Sequence, residues 1–169
     1  MKKTIEEKPE IKLVGISVRT SYQNETSKDQ GKIGPCVQRY FHNALFDQIP
    51  NRKNPGVTFC IYTDYESDYT GAYTYFIGEE VESLETPLPE EFDTHVIPRQ
   101  DYAKFTTNPG PMPDVLINAW NNIWNMSSED LGGKRLYHSD FEIYDERAAD
   151  HNNVVLDVFI GIDRNTPSA

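Results

Sequence analysis

Only two of the 169 residues are cysteine, Cys36 and Cys60, and they form no Cys-x-x-Cys pair. That argues against a disulfide framework and for free, buried thiols. No apolar run approaches the roughly 20 residues that span a bilayer. Glutamates at 6, 7 and 10 stand where a secretory leader would place its apolar stretch. No membrane contact and a cytoplasmic location are therefore expected. Basic charge is also scarce: 16 Lys and Arg face 27 Asp and Glu, a net charge of −11. Gripping a phosphate backbone rests on Lys and Arg, so direct nucleic-acid binding is not expected. An acidic field concentrates cations around a protein, although most such charges simply keep a surface solvated.

Catalytic and metal-binding signatures are missing as well. His42, His95, His138 and His151 have no metal-ligand spacing. Asp64, Glu66 and Asp68 alternate in a turn that lacks the glycine and terminal glutamate of a calcium loop. There is no nucleophile elbow, phosphate loop or dinucleotide fingerprint, and nothing nominates a histidine partner for a cysteine nucleophile. Neither a metal nor a cofactor is expected.

What the chain does have is aromatics, with 10 Tyr, 8 Phe and 2 Trp, and an internal repeat. Phe59-Cys60-Ile61-Tyr62 and, after a polar turn, Tyr73-Thr74-Tyr75-Phe76-Ile77-Gly78 form one strand pair. Phe141-Glu142-Ile143-Tyr144 and Leu156-Asp157-Val158-Phe159-Ile160-Gly161 form a second. Phe59 corresponds to Phe141, 82 positions on, and Phe76 to Phe159, 83 positions on. Two segments in one order at nearly one offset indicate a duplication. Upstream of each pair lie a strand (11–19 and 102–106) and an amphipathic helix. The first helix opens at Gly34-Pro35 and carries Val37, Tyr40, Phe41, Ala44 and Leu45 at helical spacing until Pro50. The second follows Asp114 and carries Leu116, Ala119, Trp120, Ile123 and Trp124 until Gly132-Gly133.

The expected architecture is a single α+β domain over 1–169. Repeat one covers about 11–81, a Pro- and Glu-rich linker 82–93, and repeat two about 94–163. Each repeat reads strand-helix-strand-strand, with helices on one face of a curved antiparallel sheet. The first ten residues are expected as a loose polar arm, and 165–169 as a frayed tail.

Where the halves match, one has Cys60 and the other Glu142. Side chains alternate along a strand, so Glu142 and Tyr144 share a face with Cys60 and Tyr62. If the helices cover Phe59, Ile61, Phe141 and Ile143, the carboxylate lies on the opposite, concave face, in a pocket at the pseudo-twofold axis. A buried glutamate must be solvated, hydrogen-bonded or matched by a cation. Aromatic walls add cation–π attraction for an organic cation. The candidate ligand-binding residues are Glu142, Tyr144, Tyr62, Phe105, Trp120, Trp124 and Phe159. Phe159 is included because it points away from Leu156, Val158 and Ile160, whereas both tryptophans have helical core spacing. Tyr75 is the weakest candidate.

Several stretches resemble the integron-cassette effector-binding proteins of the GyrI-like group, which also supplies drug-sensing domains to AraC-type and MerR-type regulators. They are Ile33-Gly34-Pro35, Ile49-Pro50-Asn51-Arg52, the specific Tyr62-Thr63-Asp64-Tyr65-Glu66-Ser67-Asp68, Tyr73-Thr74-Tyr75, Tyr102-Ala103-Lys104-Phe105-Thr106 and Asp140-Phe141-Glu142-Ile143-Tyr144. The resemblance covers about 11–162. It implies a duplicated α+β fold and an aromatic pocket in which Glu142, at the family's pocket-glutamate position, pairs with cationic lipophilic drugs. Cys36-Val37 departs from the bulky residue that family members often carry after this Gly-Pro. The implied role is a stand-alone small-molecule binding protein linked to transcriptional regulation or drug sensing. Two alternatives stay open. One is a hydrolase using a pocket glutamate, with Asp157 or Asp64 as the second carboxylate that Cys60 does not supply. The other is an adaptor for a regulatory protein partner.

Overall fold

In the computed structural model, which describes residues 1–164, nine antiparallel strands form one open, curved sheet flanked by four helices. In chain order these are β1 (Lys2–Lys8), β2 (Ile11–Ser21), α1 (Tyr22–Thr26), α2 (Ile33–His42), β3 (Thr58–Thr63), β4 (Ala72–Glu80), β5 (Asp93–Ile97) and β6 (Gln100–Thr106). Then come α3 (Asp114–Trp124), α4 (Ser128–Leu131), β7 (Lys134–Arg135), β8 (Ser139–Tyr144) and β9 (Asp157–Asp163). The expected frayed tail at 165–169 lies outside the described residues.

The strand order β1-β6-β9-β8-β3-β4-β2-β5 reads the same from either end once the repeats are matched, with β7 attached to β9. Its centre is the β3–β8 pair, where Cys60 stands directly opposite Glu142. A pseudo-twofold axis therefore passes between the two residues at which the repeats differ in chemistry.

Each repeat has one strand more than the sequence suggested. The first residues are no loose arm: β1 pairs with β6 from Lys2–Thr106 through Lys8–Gln100. Its counterpart β5 pairs with β2 of the other repeat, so each half contributes the edge strand of its partner half. Lysines and glutamates along β1 suit an edge, because they discourage further strand addition.

Two short connections force the sheet to roll. β1 and β2 stand near opposite ends of the order yet are joined only by Pro9-Glu10, and β5 and β6 only by Pro98-Arg99. Three Cα steps reach about 11 Å, whereas eight flat strands at about 4.8 Å spacing would extend over 30 Å. The curl carries β5 over β8, where His95 Nε2 lies 3.4 Å from Ser139 Oγ.

The rolled-up face holds a helix-free core of Leu13, Phe59, Ile61, Phe76, Ile97, Tyr102, Phe141 and Phe159. There Phe141 stacks on Phe159 at 4.8 Å and meets Tyr102 edge-on at 5.3 Å. The other face carries the helices. Cys36 and Tyr40 of α2 pack on Val14, Ile16, Cys60, Tyr75 and Ile77. Ala119, Trp120 and Ile123 of α3 pack on Ala103, Phe105, Val158 and Ile160.

This reverses the expected faces. Phe59, Ile61, Phe141 and Ile143 lie on the helix-free side, and Cys60, Tyr62, Glu142 and Tyr144 lie beneath the helices. Alternation could not decide the matter, because central strands buried on both faces are apolar on both. Local boundaries also differ. Helix α2 stops at His42, before the left-handed Ala44 (φ 49°) and a 3₁₀ turn over Leu45–Gln48, so Pro50 is not its terminator. Gly132, at φ 90°, ends α4 rather than α3.

Candidate functional site

Glu142 is 1% exposed and sits between strand floor and helix roof. Its carboxylate accepts three hydrogen bonds from aromatic side chains. Oε2 takes the Trp120 indole N–H at 2.6 Å and the Tyr62 hydroxyl at 2.9 Å, and Oε1 takes the Tyr144 hydroxyl at 2.9 Å. Each donor reaches it for a local reason. Tyr144 is two positions along β8 on the same face, Tyr62 holds the equivalent place on β3, and Trp120 is on the buried side of α3.

Burial pushes the Glu142 carboxyl up to about 6, against the pull of the Trp120, Tyr62 and Tyr144 bonds. Burial and the neighbouring carboxylate also push the Tyr62 and Tyr144 phenols well above their usual range, so both remain neutral donors. Opposite Glu142, the Cys60 thiol is raised by burial and then by Glu142, while a hydrogen bond from Tyr75 opposes the shift.

Glu142 differs from the other buried acids of the described residues in its pairing. Among the described residues four acidic side chains are buried: Glu79, Asp140, Glu142 and Asp157. Glu79 pairs with Arg52 at 3.5 Å, Asp140 with Arg135 at 2.8 Å and Asp157 with Arg147 at 2.6 Å. Glu142 takes part in no ion pair among these residues.

Between α1, the start of α2 and α3 lies a cleft of about 210 Å³. Tyr62, Tyr65, Tyr69 and Tyr73 line one side, and Leu116, Trp120 and Trp124 the other; Tyr22, Glu25 and Ile33 lie at the α1–α2 end. Trp124 stacks on Tyr69 at 5.1 Å and meets Tyr22 edge-on at 5.7 Å. Trp120 and Tyr62, 5.0 Å apart, line the cleft while holding Glu142 beneath them. No Lys, Arg or His lines this cleft among the described residues.

The structure thus gathers Glu142, Tyr144, Tyr62 and Trp120 into one cluster, with Trp124 farther out along the cleft. Phe105 is in the core beneath α3. Phe159 is on the helix-free face, because β9 presents Val158 rather than Phe159 opposite Glu142. Tyr75, ranked weakest from the sequence, faces the site: it is opposite Tyr62 in the ladder and 5.5 Å from its ring. Of the carboxylates considered as partners for Glu142, Asp157 shares the Phe159 face and binds Arg147 and Thr106, and Asp64 is exposed.

Sequence reasoning missed Tyr22, Glu25, Tyr65, Tyr69 and Tyr73. The tyrosine spacing at 62, 65 and 69 was the available signal. Nothing periodic marks α1, which has five residues, none of them buried.

The sequence matches the family described as integron-associated effector binding protein over residues 4–162. The chain belongs to this family. A Bacillus subtilis (strain 168) protein, YobU, named as a candidate transcriptional regulator, is 26% identical over 153 residues, covering 89% of this chain and 91% of that one. An integron cassette protein from the mobile metagenome of Vibrio cholerae, VCH_CASS2, superposes with a TM-score of 0.74 at 27% identity, over 95% of each chain. The structure of SAV2435 bound to tetraphenylphosphonium gives the same TM-score at 14% identity, covering 96% of this chain and 94% of that one, a likeness of fold.

The raised carboxyl gives this effector-binding chain a testable pH signature. A native-state pKa near 6 against an ordinary 4.5 means that the folded protein binds more protons between these values. Stability contributed at this site therefore falls as pH rises through that window and stays lower above it. The shift corresponds to about 2 kcal/mol. In urea unfolding from pH 4 to 8, the difference between wild type and Glu142→Gln should follow this curve. A pH-independent difference would contradict it.

Proposed function

We propose that the chain binds cationic, amphipathic, drug-like molecules in the cleft above Glu142 and serves transcriptional regulation or drug sensing through a separate DNA-binding partner. The observation that carries this reading is the exceptional pairing: three buried carboxylates have an arginine, and the one under the aromatic cleft has none. A ligand cation would supply the missing charge, with Tyr62, Tyr144, Trp120 and Trp124 offering ring faces.

A drug-sized ligand usually occupies a pocket of about 300–1,000 Å³. The cleft is smaller, at about 210 Å³. Binding therefore requires Trp120 to give up its indole bond to Glu142 and swing aside, joining the cleft to the carboxylate. Tetraphenylphosphonium bound to SAV2435 supports the ligand class by analogy of fold. Net charge −11 weighs against DNA binding by the chain alone. Free thiols at Cys36 and Cys60 suit work in the cytoplasm.

The test is a thermal-shift series pairing tetraphenylphosphonium with neutral tetraphenylmethane-type isosteres bearing solubilising groups. A ligand that binds only the native state at 100 times its Kd adds about 2.7 kcal/mol of stability, so the cation should raise the melting temperature clearly while its isostere does not. Equal shifts for both would reject cation recognition.

A further inference from the structure

We propose that Glu25 forms a second anionic subsite at the far end of the same cleft, so that the best ligands are elongated organic dications. The inference rests on the reading of Glu142 given above and names the ligand class more closely.

Glu25 lines the cleft on α1, and among the described residues its carboxylate is held in place by neutral donors. Oε2 accepts the Thr20 hydroxyl at 2.5 Å and the Lys32 backbone N–H at 2.8 Å, and Oε1 accepts the Ile33 N–H at 3.4 Å. These bonds fix the position of the charge without cancelling it. Glu25 is half-buried and, like Glu142, takes part in no ion pair among the described residues.

The two acids belong to one field. Tyr73 lines the cleft with Glu25, and its phenol is raised by burial first, then by Glu25 and Glu142. Tyr62, Tyr73 and Trp120 supply aromatic surface along the same cleft. Two fixed negative charges separated by an apolar, aromatic passage complement a molecule with two cationic heads and an apolar spacer. A monocation can satisfy only one of them. The first charge lies under Trp120 and the second at the cleft wall, so a dication engages both once the indole has moved aside.

Isothermal titration with bis-quinolinium dications, their alkyl spacers running from butylene to decamethylene, tests this against N-decylquinolinium as the monocation. At one spacer length the dication should bind wild type about ten-fold or more tightly than the monocation, the scale of one additional charge contact. Glu25→Gln should remove that advantage and leave the monocation within about two-fold, since the amide keeps an acceptor for Thr20 and Lys32. Glu142→Gln should weaken both probes. A dication advantage that survives Glu25→Gln, or no spacer length that exceeds the monocation on wild type, overturns the proposal while leaving Glu142 as the cation site. The wild-type comparison decides this even if the variant folds poorly. A monocation indifferent to Glu142→Gln overturns the reading of Glu142, and this inference with it.

Discussion

Glu142→Gln is expected to weaken organic cations by about 10- to 100-fold, roughly 1.4–2.7 kcal/mol, the scale of a buried charge-assisted contact. Neutral isosteres should bind as before, because the amide has the same shape and the ring faces are untouched. The local bonding survives the change. The amide oxygen can take the Trp120 and Tyr62 donors that now meet at Oε2, and the amide NH₂ can donate to the Tyr144 hydroxyl oxygen, whose proton now goes to Oε1. Without ligand the variant should be as stable as wild type at pH 4 and up to about 2 kcal/mol more stable at pH 8, because the ionised carboxylate at that pH carries a desolvation cost. Wild-type affinity for a cation should run the other way with pH. It falls as the carboxyl takes up its proton below about pH 6, by up to ten-fold per unit where ionisation is required. The two slopes are opposite because the apo protein suffers from the charge that the ligand uses. Titration calorimetry at pH 5 and 8 on both proteins checks all four corners. Equal losses for charged and neutral ligands would move Glu142 from charge recognition to pocket shape.

The sequence exposed the repeat because its signal lies in central strands, where Phe59 and Phe141 must fill one core and could not drift independently. It exposed Glu142 for a related reason: a carboxylate amid Phe, Ile and Tyr breaks the pattern of a buried strand. It could not show which face the helices cover. Phe141 and Glu142 point in opposite directions and both are buried, so alternation of apolar and polar residues marks no surface here. Strand β1 was hidden differently. Its backbone pairs on one side only and most of its side chains face water, which gives Lys-Lys-Thr-Ile-Glu-Glu-Lys the composition of a loop. The pairing partner, β6, is about a hundred residues away, and only the chain's return through Pro98-Arg99 makes the exchange visible. The cleft rim was hidden for a third reason. Tyr22 and Tyr69 meet Trp124 from a single helical turn and a loop, and neither carries a period.

Arg135→Met should be among the most destabilising single substitutions near the site, costing about 3–5 kcal/mol, because it leaves a buried carboxylate without its cation. Asp140 is fully buried two positions before Glu142 on β8 and faces the same side. Its Oδ2 takes Arg135 at 2.8 Å and the Tyr65 hydroxyl at 2.7 Å, and its Oδ1 takes the Gly161 N–H at 2.8 Å. One carboxylate thereby fastens the site strand to β9, and Tyr65, a cleft wall, to both. The arginine itself lies over the Tyr137 ring at 4.2 Å, and its Nε has no hydrogen-bond partner among the described residues. That unpaired nitrogen means the ion pair is incompletely repaid, so adding Asp140→Asn to Arg135→Met should restore much of the loss. Asparagine keeps an acceptor for the Gly161 N–H and places its NH₂ toward the Tyr65 hydroxyl, whose oxygen can accept, while removing the uncompensated charge. Urea unfolding of wild type, both single variants and the double variant measures the coupling directly. Losses that simply add would show that Arg135 acts by packing against Tyr137, and the charge of Asp140 would then have no part in holding the wall of the cleft.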